Sequence, residues 1–270
     1  MKLITLVRHG QASFGAENYD QLSPKGIAQT QWLGDSFRQS GRQVDAVISG
    51  EMARQQDSLR HFLSHYYVSR EGIELSEITH HIEHNPHSPS YAPLALPSQL
   101  GTDSGFNEFN HEQVLFKANL GFSDKRSFIA YLTSQPQPEL KFAELFTQAM
   151  NRWQGGEHDS DYDESWQGFL SRTWQGFERL IARTEDGKHS MAFTSGGVIA
   201  SIVQQVMKLS DAQAFDLNWH IANASVHTFV IKEKEAVKEK ELVKENAIFL
   251  QTFNEFSYLY QQGEQMVTWR

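Results

Sequence analysis

Three segments of this 270-residue chain repeat one design: a short apolar run, a turn of small residues, then a helical pattern. Ile4 to Val7 precedes "RHGQ", Ala46 to Ser49 precedes "GEMARQQ", and Met191 to Thr194 precedes "SGGVIASIVQQVM". Strands that alternate with helices imply a mostly parallel sheet with helices on both faces. The expected fold is therefore α/β, a three-layer α/β/α sandwich. In open sheets of this kind the ligand crevice lies outside the carboxyl ends of the strands, so all three turns are candidates to line one pocket.

The rest of the chain is read around that frame. "QLSPKGIAQTQWLGDSF" offers Ser23 as N-cap and Pro24 at the first helical position, with Ile27, Trp32, Leu33 and Phe37 as a buried stripe. A second helix is expected from about Glu51 to His65. Four prolines between Pro86 and Ser104 predict a long irregular loop. Residues 105–182 read as a helical insertion, or cap, within a single domain spanning 1–270. Near the C-terminus, 232–245 carry five Lys and five Glu between two strand-like runs. A solvated hairpin extension fits this better than a docking arm, and its charges would blunt a sheet edge.

Composition removes several function classes. A formal charge of −9 argues against nucleic-acid and membrane-surface binding, so an anionic ligand needs a local Arg or Lys cluster. The absence of cysteine excludes disulfides, thiolate metal sites and cysteine catalysis. The apolar run before Arg8 is too short for a signal peptide, which makes a cytoplasmic location the expectation. His80, His81, His84 and His87 lack a fixed helical spacing and read as loop histidines, so no metal and no cofactor is expected.

His9 alone would be read as structural, but its neighbours carry chemistry. Arg8 cannot be buried cheaply without an anion, and Gly10 permits a turn that brings main-chain groups close to a ligand. Arg54 begins the second helix, where the proposed fold returns it to the same crevice. Gly196 and Gly197 open the third helix, whose free N–H groups favour an anion. Two arginines, a helix N-terminus and one imidazole describe a site in which a phosphoryl group passes to a histidine nitrogen.

These residues resemble a known family. "LVRHGQ", "SGEMARQQDS", "FNEFNHEQVL" and "FTSGGVIA" look like the histidine phosphatase superfamily, also called phosphoglycerate mutase-like, over about 3 to 60, 101 to 115 and 188 to 260. The resemblance implies a metal-free, two-step hydrolysis of a small phosphorylated metabolite. His9 would become phosphohistidine while Arg8 and Arg54 hold the phosphoryl oxygens, with Gly10, Gln11, Ser195 and Gly196 completing the phosphate site. Glu108 is the candidate acid and base, with Glu83 as the alternative. No partner beyond that substrate is implied, and a homodimer stays open.

Two departures qualify the resemblance. Where the family usually has a second histidine, this chain has Ser195, which brings a hydroxyl donor and no charge. Losing a transition-state donor of this kind typically costs ~10²-fold to 10³-fold in rate. That keeps a second reading in view, a catalytically impaired phosphate or phosphoprotein binder. The glycolytic mutases carry a tryptophan-asparagine pair where this chain has Phe14-Gly15, which weakens a mutase reading. A serine-hydrolase elbow on Ser195 would need glycine two residues earlier, and Phe193 stands there.

Overall fold

The computed structural model describes residues 1–13, 20–67, 99–118, 121–122, 124–238 and 241–269. Six strands form one sheet: β1 (Lys2–Arg8), β2 (Ala46–Ser49), β3 (Gln99–Thr102), β4 (His189–Thr194), β5 (Val226–Lys238) and β6 (Glu241–Glu255). Their order is β3-β2-β4-β1-β5-β6. Strands β1, β2, β3 and β4 pair in parallel, whereas β5 runs antiparallel to both β1 and β6. The expected mixed α/β fold with a mostly parallel sheet is the one observed.

Register explains why the three turns meet. Arg8 stands opposite Thr194, and Ser49 stands opposite Phe193, so β1, β2 and β4 end almost level. His9, Gly50 and Ser195 therefore leave the sheet at one edge. On one face Val7, Val47, Met191 and Phe193 pack against Leu33 and Phe37 of α1 (Pro24–Gln39) and Phe62 and Tyr66 of α2 (Ala53–Tyr66). Burial of each such side chain contributes roughly 1.5–3 kcal/mol. Phe229 of β5, partnered with Ile4, faces the other way and meets the edge of Phe177 on α6 (Trp166–Arg183).

Helix α1 starts as expected, with the Ser23 side chain accepting from Gly26 N–H and Pro24 in the first turn. Its buried face differs from the predicted stripe. Leu33 and Phe37 are buried, but Gly26, Gln29 and Thr30 share that face while Ile27 and Trp32 are only half-buried. The first turns of α1 lie against the His9–Gln11 turn, where small and hydrogen-bonding residues fit and large apolar ones do not. The predicted loop also needs correction at its end, because Gln99–Thr102 forms β3 beside β2. Four ladder positions there follow the last proline, so nothing interrupts the pairing.

Contacts divide the described chain into two units, 1–108 with 173–270, and 109–172. The second unit is helical, with α3 (His111–Lys117), α4 (Lys125–Thr133), α5 (Pro138–Gln154) and the first turns of α6. Aromatic side chains form its centre. Trp153 lies 4.9 Å from Phe109 and 5.1 Å from Trp166, ring centre to ring centre, and its indole N–H donates to the Glu164 carbonyl at 2.8 Å. In the first unit, α7 (Gly196–Met207), α8 (Asp211–His220) and the short α9 (Ser257–Tyr260) complete the helices. The charged hairpin continues the β5–β6 ladder from Lys232–Ala247 to Lys238–Glu241, beyond the last β1 pairing at Lys2–Ile231. Among the described residues no helix is long and apolar enough to cross a membrane.

Candidate active site

His9 is 5 % exposed, and both its N–H and its carbonyl are hydrogen-bonded. Its N–H donates to the Thr194 carbonyl at 2.8 Å, and its own carbonyl accepts from Ala224 N–H and from the Asn223 side chain. Ala224 takes a left-handed backbone, φ 57°, in order to present that donor. For a residue with a Cβ such a conformation costs roughly 1–2 kcal/mol. The turn after β1 is thus fixed by strain and hydrogen bonds contributed by the segment before β5.

The ring's protonation pattern follows from its partners. Nδ1 lies 2.7 Å from the Gly10 carbonyl oxygen, which can only accept, so Nδ1 carries the hydrogen. Nε2 then presents a lone pair. Arg54, 2 % exposed at the start of α2, donates its Nε–H to that atom at 3.1 Å. A neutral imidazole whose Nε2 lone pair faces a guanidinium could attack phosphorus in an anion that the guanidinium held.

Arg8 approaches from the β1 side. Its Nη1 donates to the carbonyls of Ile221 and Trp269, the latter at 3.1 Å, which fixes the direction of the side chain. A Cβ on Gly196 would stand 3.6 Å from Arg8 Nε and would collide with Asn218 Oδ1. Glycine at the first position of α7 is what admits the Asn218 side chain against the helix N-terminus. Ser195, 1 % exposed, precedes that helix, and its hydroxyl accepts from Gln55 Nε2 at 2.8 Å.

Glu108 reaches the same helix. Its carboxyl accepts the Gly197 N–H at 2.9 Å. The segment that carries it is anchored by the Phe106 carbonyl, which accepts from Thr194 Oγ1 and from Gln55 Nε2. Gly105 packs backbone to backbone on Gly176 of α6, and Asp103 is gripped at both oxygens by Arg179. That Arg partner holds the Asp103 carboxyl below the usual range against the opposing pull of burial.

Gly10 and Gln11 lie beside the site, but their N–H groups are engaged within the protein. Gly10 N–H donates to Ser58 Oγ at 3.0 Å, and Gln11 N–H donates to Gln29 Oε1 at 2.8 Å. The lack of a side chain at Gly10 admits the backbone of Gly26 on α1. Its observed use is close helix approach, whereas the sequence suggested proximity to a ligand. Glu83 and His80, His81, His84 and His87 lie outside the described residues.

Several residues in this arrangement were not found from sequence. Asp20 accepts from Arg54 Nη1 at 2.7 Å and from Ala53 N–H at 2.9 Å. Gln55 links Ser195 to the Phe106 carbonyl, Ser58 holds Gly10, and Asn223 holds His9. Only the adjacency of Gln55 to Arg54 gave any signal in the chain.

A site of this form, at the level ends of β1, β2 and β4, matches known proteins in its scaffold. Residues 133–242 match the model described as "Histidine phosphatase superfamily (branch 1)", a span that includes β4, α7 and the turn at Ser195. A phosphoglycerate mutase from Bacillus anthracis aligns with a TM-score of 0.56 at 15% identity, covering 97% of this chain and 98% of its own. A phosphoserine phosphatase from Entamoeba histolytica, solved as a mutant with phosphoserine, gives 0.52 at 12% identity over 96% and 100% of the two chains. A mycobacterial glucosyl-3-phosphoglycerate phosphatase, solved with inorganic phosphate, gives 0.52 at 15% identity over 96% and 99%. No curated protein sequence matches this chain. The fold is that of the phosphoglycerate mutase-like proteins, and the resemblance to the histidine phosphatase superfamily is borne out by the family model together with these neighbours.

Proposed function

We propose that this chain is a cytoplasmic phosphomonoesterase that hydrolyses a small phosphorylated metabolite through a phosphohistidine on His9. The observation that carries this reading is the buried pair of His9 and Arg54, in which the imidazole Nε2 lone pair meets a guanidinium Nε–H at 3.1 Å. An incoming phosphate would take that guanidinium as its partner and leave Nε2 facing phosphorus. The phosphatase and mutase neighbours support the same class of chemistry.

In the first step the Nε2 lone pair forms the N–P bond as the bond from phosphorus to the leaving oxygen breaks. Glu108 gives its proton to that oxygen. Arg8, Arg54 and the N-terminus of α7 hold the remaining phosphoryl oxygens and offset the charge on them. In the second step water attacks phosphorus, Glu108 takes a water proton, and the N–P bond breaks to return neutral His9. Ser195 contributes a neutral donor where the family has an imidazole.

Incubation of wild type and His9→Ala with p-nitrophenyl phosphate and a panel of sugar phosphates tests the proposal. Wild type should release inorganic phosphate, and His9→Ala should lose at least ~10³-fold of that activity. The second reading is a phosphate or phosphoprotein binder, favoured by Ser195 and the absence of a second imidazole there. Phosphate binding without turnover by wild type would establish it, and transfer within one substrate without release would point to a mutase.

A further inference from the structure

Asp20 lies outside the chemistry just described, yet it touches the same cation. Its Oδ1 accepts from Arg54 Nη1 at 2.7 Å and lies 3.5 Å from Arg54 N, while its Oδ2 accepts from Ala53 N–H at 2.9 Å. The carboxylate thus caps the exposed N–H groups of α2 and at the same time grips the far end of a side chain on that helix. Met52, the N-cap residue of α2, offers no side-chain cap of its own.

Local structure explains why Asp20 reaches this point. Ala12 and Leu22 form an isolated antiparallel bridge, and Ser13 N–H donates to the Gln21 carbonyl at 2.8 Å. That bridge returns the chain beside the His9 turn two residues after Asp20. On the other side Ser23 N–H donates to the Gln11 carbonyl, and Ser23 begins α1. The position of Asp20 is therefore set by the backbone on its C-terminal side.

A guanidinium is a planar fork, and fixing one end of it fixes the direction of the rest. With Nη1 held by Asp20, the Nε–H of Arg54 is directed at His9 Nε2. We propose that Asp20 is a positioning residue that sets Arg54 against the His9 nucleophile and offsets its charge, trading ground-state phosphate affinity for transition-state alignment. The proposal deepens the phosphatase reading and rests on it for the role of Arg54.

Two opposite effects follow from removing the charge. Asp20→Asn retains an acceptor for Ala53 N–H but releases Arg54 and removes an anion from beside the phosphate. Inorganic phosphate should bind at least about twofold more tightly, because the pair is half-buried and exceeds the smallest contribution of an exposed one. Misalignment of Arg54 should lower kcat for p-nitrophenyl phosphate about tenfold to hundredfold. A helix cap alone would shift the melting temperature and move neither quantity.

The experiment combines calorimetric titration with inorganic phosphate, steady-state kinetics, and exchange of the Arg54 Nε–H proton followed by NMR. Asp20→Ser, which also keeps an acceptor for Ala53 N–H, serves as a second variant should Asp20→Asn fold poorly. Tighter phosphate binding, slower turnover and lost protection of the Arg54 proton are the expected results. Unchanged protection of that proton in a folded variant overturns the proposal, as does a lowered melting temperature with both affinity and kcat intact. Should wild type neither bind nor hydrolyse phosphate, the phosphatase reading fails, and the proton exchange still decides whether Asp20 positions Arg54.

Discussion

Helices α2 and α7 both begin at the His9 site, and both begin with an N-cap residue whose side chain makes no capping bond. Each has an acidic group from elsewhere in the chain on its N–H donors: Asp20 on Ala53 and Glu108 on Gly197. The difference lies beside the acid. At α2 the carboxylate also holds a buried arginine, and at α7 the helix is preceded by Ser195, whose neutral hydroxyl accepts from Gln55. One geometry thus accompanies the two proposed uses, orientation of a cation at α2 and proton transfer at α7. A helix terminus fixes a carboxylate, and what stands next to it decides its chemistry.

The proposed proton transfer by Glu108 should separate the two ends most strongly. Glu108→Gln keeps a carbonyl that accepts from Gly197 but has no proton to give, so kcat should fall ~10²-fold to 10⁴-fold on alkyl phosphates. The loss should be smaller on p-nitrophenyl phosphate, whose leaving group departs without protonation. The loss from Asp20→Asn should be the same on both substrates, and equal sensitivity of the two variants to the leaving group would erase the distinction between the helix ends.

Ser195→Ala measures the neutral donor at α7. Removing one uncharged transition-state donor should lower kcat/KM by about tenfold to hundredfold. A loss of a thousandfold would mean that the hydroxyl does more than donate once to an oxygen, and no loss would take Ser195 out of the site.

A separate expectation concerns stability alone and involves a group that feels the Arg8 charge. His227 on β5 is fully buried, and burial together with the nearby Arg8 charge pushes its pKa down to about 3. Its neutral ring accepts from Asn254 N–H at Nδ1 and lies 3.0 Å from Ser225 Oγ at Nε2. The unfolded chain takes up this proton near pH 6.5, so the folded state loses stability as pH falls from about 6.5 toward 3. Denaturant titrations should show this group contributing ~1.4 kcal/mol per pH unit within that window and nothing above it. His227→Asn should remove that slope whatever it does to stability at neutral pH. A slope that persists in the variant would assign the acid sensitivity to other groups.

Much of the scaffold was readable from the chain because it depends on short-range rules. Apolar runs of strand length, the Ser23-Pro24 helix start and the glycines at Gly196 and Gly197 each specify local structure through sterics and capping. The KEKE segment follows the same logic, since an uninterrupted strand pattern with balanced charge continues as a hairpin. The end of the proline-rich loop was misread because the pairing that makes Gln99–Thr102 a strand comes from β2, not from its own composition.

By itself the sequence determined an alternating α/β chain with Arg8, His9 and Arg54 at the carboxyl ends of its strands. Only the tertiary structure decided that Asp20 meets Arg54, that His9 Nδ1 faces the Gly10 carbonyl while Nε2 faces Arg54, and that Gly10 admits the backbone of Gly26. Those outcomes turn on ångström-scale contacts between residues far apart in the chain, such as Asp20 with Arg54 and Glu108 with Gly197. Local propensity carries no record of such distances; strand register and close backbone approach set them.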